Sequence, residues 1–294
     1  MNKYFSTKTS IFIFAFPGLL LFTAFVIFPL IPELIISLQN HDGFASSGYV
    51  GIKNYIDVFQ SSMFWKSNRN TIIIVLMSTL ITLPFSFILA LLLDTQTSGV
   101  RRFFKASSVF PAVLSVTVIA QMWVAIYEPQ WGLLNSVLRA VGLESWTREW
   151  LTDKNTVVFA IGTAFLWQYI GFNMLLFYTG LKSIPRTYYE AALIDGAGPV
   201  KCTIKITIPL LQDVIKYLLV ISVLGSMAMF AHVEVMTLGG PGGIARTIVY
   251  QLYYTAFMTS EFGKGCAYAV IFVIECLIIT LIINRFVARE RIEY

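Results

Sequence analysis

Six apolar stretches, each about the length of a bilayer crossing, govern what this chain can fold into. They run over residues 11–38, 71–93, 107–127, 156–181, 214–235 and 266–286. A run of about 18 or more apolar residues marks a candidate membrane helix. Inside a bilayer each backbone N–H and C=O must find its partner within the protein, so repeated runs of this kind predict helices. Composition agrees, because only 13% of residues are charged against roughly 25% in a soluble domain. The expected fold class is all-α and integral to the membrane, a bundle of six spans forming one domain over residues 1–294.

The first run follows Lys3 and Lys8, the pattern of a signal peptide. It is longer than the about 7–15 apolar residues of a signal core and lacks a small-residue cleavage box, so a retained helix bent around Pro17, Pro29 and Pro32 is expected. Pro84 should kink the second span, and Asp94 closes it. Thirteen of the 21 Lys and Arg fall at the two termini, at Arg101, Arg102 and Lys105, and around residues 182–216. By the positive-inside rule those segments face the cytoplasm. Both termini and the 182–211 loop are then inside, and loops 39–70, 128–155 and 236–265 are outside. Trp131, Trp146 and Trp150 occupy the second outer loop, where Asn135–Val141 is expected to form a surface helix.

Much conventional chemistry is excluded. Cys202, Cys266 and Cys276 make neither a disulfide framework nor a metal cluster, and His41 and His232 are too few for a zinc site. No phosphate-binding G-x-x-x-x-G-K-[ST] loop is present, and no nucleophile–histidine–acid order suits catalysis. No catalytic residue is assigned, and the +5 net charge reads as membrane anchoring, with nucleic acid not expected as a partner.

The inner loop carries the most specific signal. Tyr189–Leu210 reads YEAALIDGAGPVKCTIKITIPL, a polar segment between two apolar runs. Residues 189–195 suit a helix, Gly196, Gly198 and Pro199 break it, and a second short segment ends at Pro209. A helix–turn–helix hairpin at the membrane surface is expected. Glu190-Ala191-Ala192, Gly196, Ile206 and Ile208-Pro209 at these spacings resemble the "EAA" loop of ABC-importer permeases, with Ile208 where that family has Leu. By this resemblance Glu190, Ala191, Ala192, Asp195, Gly196 and Ala197 form a cytoplasmic coupling helix that engages an ATPase.

Other stretches extend the resemblance to sugar-type permeases. Gly51-Ile52-Lys53-Asn54-Tyr55, Phe64-Trp65 and Asn70-Thr71 are similar to that family's first outer loop. Thr237-Leu238-Gly239-Gly240-Pro241 with Thr247 is similar to an outer loop of the larger-partner subunit in maltose-like importers. By resemblance Gly239, Gly240 and Pro241 face a solute-binding protein. Phe165, Gln168, Tyr169 and Phe172 share one helical face by i, i+3, i+4 and i+7 spacing. Aligned with maltose-type permeases, they become pocket-lining positions together with Ser222, Gly225, Ser226 and Met229. Several Asn of that family's pocket are replaced here by Phe165, Ser226 and Met229.

The resemblance is to the maltose and glycerol-phosphate type of permease. It implies a six-helix type I ABC-importer subunit in a bacterial-type cytoplasmic membrane, moving a sugar or oligosaccharide inward by alternating access. Implied partners are a second homologous permease, two ATP-binding subunits holding ATP and Mg, an extracytoplasmic solute-binding protein and the lipid bilayer. This chain itself would hold no cofactor or metal and would not be an enzyme. The alternative is an ion-coupled secondary transporter, suggested by Glu275 in mid-span, where an ionisable group is costly. That reading predicts inverted repeats and paired intramembrane charges, and neither is read here.

Overall fold

Proline placement shapes the membrane helices. In the computed structural model, which describes residues 8–286, three of the four described wide i→i+5 turns occur at Thr23–Ile27, Ser78–Thr82 and Thr203–Thr207, the fourth being Tyr254–Met258. Each of the first three ends two residues before a proline: Pro29, Pro84 and Pro209. Proline lacks an N–H and its ring crowds the carbonyl four residues back. A π-type turn takes up the extra residue, so the helix continues through the proline.

Four described helices are long and apolar enough to cross a membrane: Phe12–Ser37, Ser62–Asp94, Val157–Ser183 and Phe262–Phe286. Two bent pairs bring the total to six if each is one span. Ser98–Val113 meets Val116–Ile126 at 97°, and Pro199–Leu210 meets Gln212–Met227 at 71°. The third span expected at 107–127 is therefore not a straight helix. Leu114 and Ser115 are both extended, and their backbone makes the corner. The fifth, expected at 214–235, breaks after Met227 and resumes as Ala231–Thr237. The second begins at Ser62, earlier than residue 71, and Ser67 and Asn70 are buried in it where polarity alone suggested a loop. Lys3 and the Arg289-Glu290-Arg291 tail lie outside the described residues.

The chain divides into two compact units. One contains residues up to Ser62 with Leu252–Val273. Its first helix exposes apolar side chains along its length, Phe14 and Phe25 among them, as a lipid-facing or partner-facing span would. A small antiparallel hairpin follows, Gln39–His41 paired with Ser46–Tyr49, an element the all-α expectation omitted. Asn54 pins the return of the chain, its Nδ2 donating to the carbonyls of Ser37 and Gln39 at 2.8 Å each.

The second unit comprises Met63–Gln251 and the residues from Ile274 on. Val157–Ser183 is its central helix, with sixteen buried residues. Met174, Phe177, Tyr178 and Leu181 on it pack with Leu83, Ala90 and Leu93, and with Leu211 and Leu218. In lipid, helices associate through close van der Waals contact, and small residues permit that contact. Gly171 is the closest approach here: a Cβ added to it would fall on the Ser108 backbone carbonyl. Ser86 Oγ adds a hydrogen bond to the Ile170 carbonyl at 2.9 Å.

Candidate functional site

Three features of the second unit carry the predicted site residues. The first is the hairpin after Val157–Ser183. Pro185 is extended and starts the helix Arg186–Ile194. Its end is a Schellman closure, with Ala197 N–H donating to Ala192 O at 2.9 Å and Gly196 N–H to Leu193 O at 3.1 Å. This motif puts one residue in the left-handed region, where glycine avoids the Cβ penalty, and Gly196 has φ +70°. Gly198 then caps a second short helix, Pro199–Cys202, with proline at its first position.

Tyr189 Oη and Thr207 Oγ1 bond across the hairpin at 3.1 Å, holding its two arms together. Glu190, Ala191, Asp195 and Gly196 are exposed, and Ala192 and Ala197 half-buried. The structure thus brings all six predicted coupling residues onto one short capped element. Beside them stand exposed apolar side chains, Leu193 at 66% and Ile194 at 87%. A cavity of about 580 Å³ lies against the hairpin, lined by Lys182, Arg186, Tyr189, Glu190 and Asp94 among others. Lys182 and Asp94 form an ion pair there.

The second feature is a cavity of about 150 Å³ lined by Ser78, Phe165, Tyr169, Phe172, Asn173, Ile221, Ser222 and Gly225. Five of the eight residues predicted to line a pocket meet here. The other three do not. Gln168 is 1% exposed and faces His232, with Nε2 and Oε1 3.0 Å apart. An amide oxygen only accepts, so this contact is a hydrogen bond in the tautomer with the proton on His232 Nε2. Ser226 is buried and donates to Ser222 O at 2.6 Å, and Met229 is buried at the helix break. The helical-face argument placed Gln168 with Phe165 and Tyr169, but its polarity sends it to a buried partner instead.

The eight predicted positions do not include three of the lining residues, Ser78, Asn173 and Ile221; Asn173 is on the span read as offering groups to a sugar. Asn173 stands four residues after Tyr169, a spacing that already pointed to this face. Ser78 opens the wide turn before Pro84. The aromatic wall is ordered, with Phe165 and Tyr169 rings 4.9 Å apart and His232 edge-on to Phe165 at 5.5 Å.

The third feature is the loop after Ala231–Thr237. Leu238, Gly239, Gly242 and Gly243 all have positive φ. Gly239 is required on two counts, since a Cβ would also collide with the Tyr250 ring. Leu238, Pro241 and Gly242 are exposed at the tip, while Gly239 is buried and Gly240 half-buried. Of the three residues predicted to face a protein partner, Pro241 is the one fully presented.

In the same unit, the side-chain amide of Asn68 lies against Glu275, and with its nitrogen turned to the carboxylate it donates to both oxygens at 3.3 Å. Among the described residues no group of three or more His, Cys, Asp or Glu is placed to hold a metal ion.

The chain is similar to known proteins over most of its length. Residues 83–292 match the family described as "Binding-protein-dependent transport system inner membrane component". The chain is 31% identical over 94% of its length, and 94% of the relative's, to the "Probable ABC transporter permease protein YurN" of Bacillus subtilis (strain 168). It is 31% identical, over 96% of this chain and 89% of the other, to the "Arabinooligosaccharides transport system permease protein AraP" of the same organism. A crystal structure of a bacterial alginate ABC transporter, in complex with an alginate pentasaccharide-bound periplasmic protein, contains a chain that superposes with a TM-score of 0.82. The match covers 96% of this chain and 95% of that one at 23% identity. At that identity the likeness establishes the fold, a helical ABC-importer permease bundle.

Proposed function

The chain belongs to the binding-protein-dependent transport system inner membrane component family, and from that premise we propose that it is one permease half of a sugar or oligosaccharide importer. The observation that carries the reading is the capped helix Arg186–Ile194, which presents Leu193 and Ile194 to the outside of the chain. Exposed apolar side chains on a rigid polar hairpin suit a cleft in a partner protein. In this reading the partner is an ATP-binding subunit, one of two, and ATP and Mg reside there.

The remaining parts follow the same logic. Lys and Arg density supports an inner location for this hairpin and for both chain ends, in a bacterial-type cytoplasmic membrane. The 150 Å³ cavity is smaller than the roughly 300–1,000 Å³ usual for a ligand pocket, which supports a path completed by a second, homologous permease. Its aromatic faces with Ser78, Asn173 and Ser222 suit stacking on, and hydrogen bonding to, a sugar. The name of the relative AraP, an arabinooligosaccharide permease, supports the same substrate class. The loop at Gly239–Pro241 is the docking surface for an extracytoplasmic solute-binding protein.

Transport is then a two-state rocking of helices around the cavity. ATP binding draws the coupling helices together and opens the cavity outward to the docked binding protein; hydrolysis resets it inward. Glu275 has the Asn68 amide as its partner, which favours a polar clasp between helices over an ion-coupled carrier.

The test is ATPase activity of the reconstituted complex with its binding protein, across mono- and oligosaccharides. Stimulation by one sugar only in the presence of the binding protein is expected. Stimulation by none removes the carbohydrate assignment. Failure of the chain to co-purify with any ATPase removes the importer assignment as well.

A further inference from the structure

Two stretches far apart in sequence, Asn70-Thr71 and the loop leading to Thr247, are joined in the fold. Asn70 is 1% exposed, and its Nδ2 donates to Ile244 O at 2.7 Å and Arg246 O at 2.9 Å. One residue on, Thr71 Oγ1 accepts from Ile248 N–H at 3.0 Å while donating to Ser67 O at 2.9 Å. From the other side Thr247 Oγ1 donates to Met229 O at 2.8 Å. Met229 lies in the break between Gln212–Met227 and Ala231–Thr237, and Ser222 and Gly225 of the first of these helices line the small cavity.

The chemistry of the clamp is specific. Ile244 and Arg246 lie in an irregular segment with no ladder to satisfy their carbonyls, and buried carbonyls need a partner. A single short side chain that offers two N–H groups from one nitrogen is asparagine. Aspartate offers only acceptors when ionised and would face two carbonyl oxygens. Leucine keeps the volume and supplies no donor, and glutamine carries the same amide one methylene further from the backbone, off the two carbonyls.

We infer that Asn70 is a positioning residue for the outer loop, and that Thr247 links the loop so positioned to the cavity-side break of the fifth span. The inference rests on the reading of this loop as the docking surface for a binding protein. With the clamp intact, the exposed tip at Leu238, Pro241 and Gly242 is held ready for its partner. Without it, docking must order the loop, and that conformational cost falls on affinity. Loss of the Thr247 hydroxyl leaves the tip clamped by Asn70 and cuts its bond to Met229, so the cost falls on the response after docking.

The two substitutions should therefore separate. In the complete reconstituted importer, ATPase is titrated with the binding protein loaded with whichever oligosaccharide stimulates the wild type. N70L is expected to raise the half-saturating binding-protein concentration at least tenfold, with the maximal rate within twofold of wild type. T247V is expected to lower the maximal stimulation at least fivefold with half-saturation little changed. Wild-type half-saturation in N70L, or equal losses of both parameters in the two variants, overturns the inference. A wild type that binding protein never stimulates overturns the docking reading instead, and the clamp is then judged by exchange alone. Amide exchange in lipid nanodiscs supplies that readout and serves if N70L assembles poorly. In N70Q, exchange over residues 239–247 should rise at least tenfold while Val157–Ser183 is unchanged. Unchanged loop exchange, or equal loosening of both segments, overturns the clamp.

Discussion

His232 Nε2 and Gln168 Oε1 lie 3.0 Å apart between two buried side chains, one from the Val157–Ser183 helix and one from Ala231–Thr237. The pair sits behind Phe165, whose ring the imidazole meets edge-on, so it backs the cavity wall without lining it. Removing one partner of a buried hydrogen bond costs about 1–3 kcal/mol, whereas replacing both by apolar groups of matching shape is closer to neutral. Q168L should lower the thermal midpoint of the purified protein. The double variant Q168L/H232F should recover part of that loss. A cycle with no coupling between the two positions would show that the contact contributes nothing.

Gly171 and Gly225 give opposite expectations for the same substitution. A Cβ at Gly171 falls on the Ser108 carbonyl, which is backbone and cannot swing aside, while one at Gly225 meets nothing within 4 Å. Over-packing in a close-packed site typically costs about 1–3 kcal/mol. G171A is expected to unfold at lower temperature and to assemble poorly, and G225A to be as stable as wild type. Because Gly225 lines the cavity, any effect of G225A should appear in transport. Equal thermal midpoints for the two variants would contradict the helix crossing described above.

The coupling hairpin separates a conformational effect from a contact effect. Gly196 has φ +70° with open space around it, so G196A adds strain and no collision, a cost of roughly 1 kcal/mol. Ile194 is the most exposed apolar side chain of its helix, and I194D changes the surface while leaving the fold alone. I194D should abolish co-purification with the ATPase subunits, and G196A should retain the complex while lowering transport per ATP hydrolysed. Replacement of Glu190, exposed on the same helix, should likewise uncouple without preventing membrane insertion. Normal transport by all three would remove the coupling role.

How much of this was legible in the sequence varies with the physics involved. Membrane helices announce themselves, because a bilayer demands long apolar runs and tolerates no others. The hairpin at 186–202 was equally readable, since Gly196, Gly198 and Pro199 each have a local conformational reason to stand where they do. Breaks inside apolar runs were not readable: Leu114-Ser115 and Ala228–Phe230 contain no proline or glycine, so no residue there has a local reason to interrupt a helix. Polarity misled at 62–70: Asn70 was read as loop and Thr71 as the first residue of the span. They are buried donors and acceptors for a segment some 175 residues away, a relation that no local pattern encodes. Gln168 failed for a related reason, because helical spacing assigns a face and says nothing about which neighbour satisfies the amide.

Acid should loosen the small outer hairpin through Asp42. Its Oδ1 accepts from Phe44 N–H at 2.9 Å and Ala45 N–H at 2.8 Å, closing the turn between Gln39–His41 and Ser46–Tyr49. The hydrogen bonds from Ala45 and then Phe44 favour the ionised form and hold the carboxyl below its ordinary value of 3.8. A depressed folded pKa contributes stability that is present above the unfolded value and lost as pH falls through the folded one. Protection of the Phe44 and Ala45 amides, corrected for intrinsic exchange, should thus be flat above about pH 5 and decline only in strong acid. D42N keeps a neutral amide oxygen as acceptor and should show weaker, pH-independent protection; D42A should show none. His41 Nδ1 also accepts in this turn, from Gly43 N–H at 2.9 Å. If D42N loses protection with the wild-type pH profile, Asp42 does not control the turn.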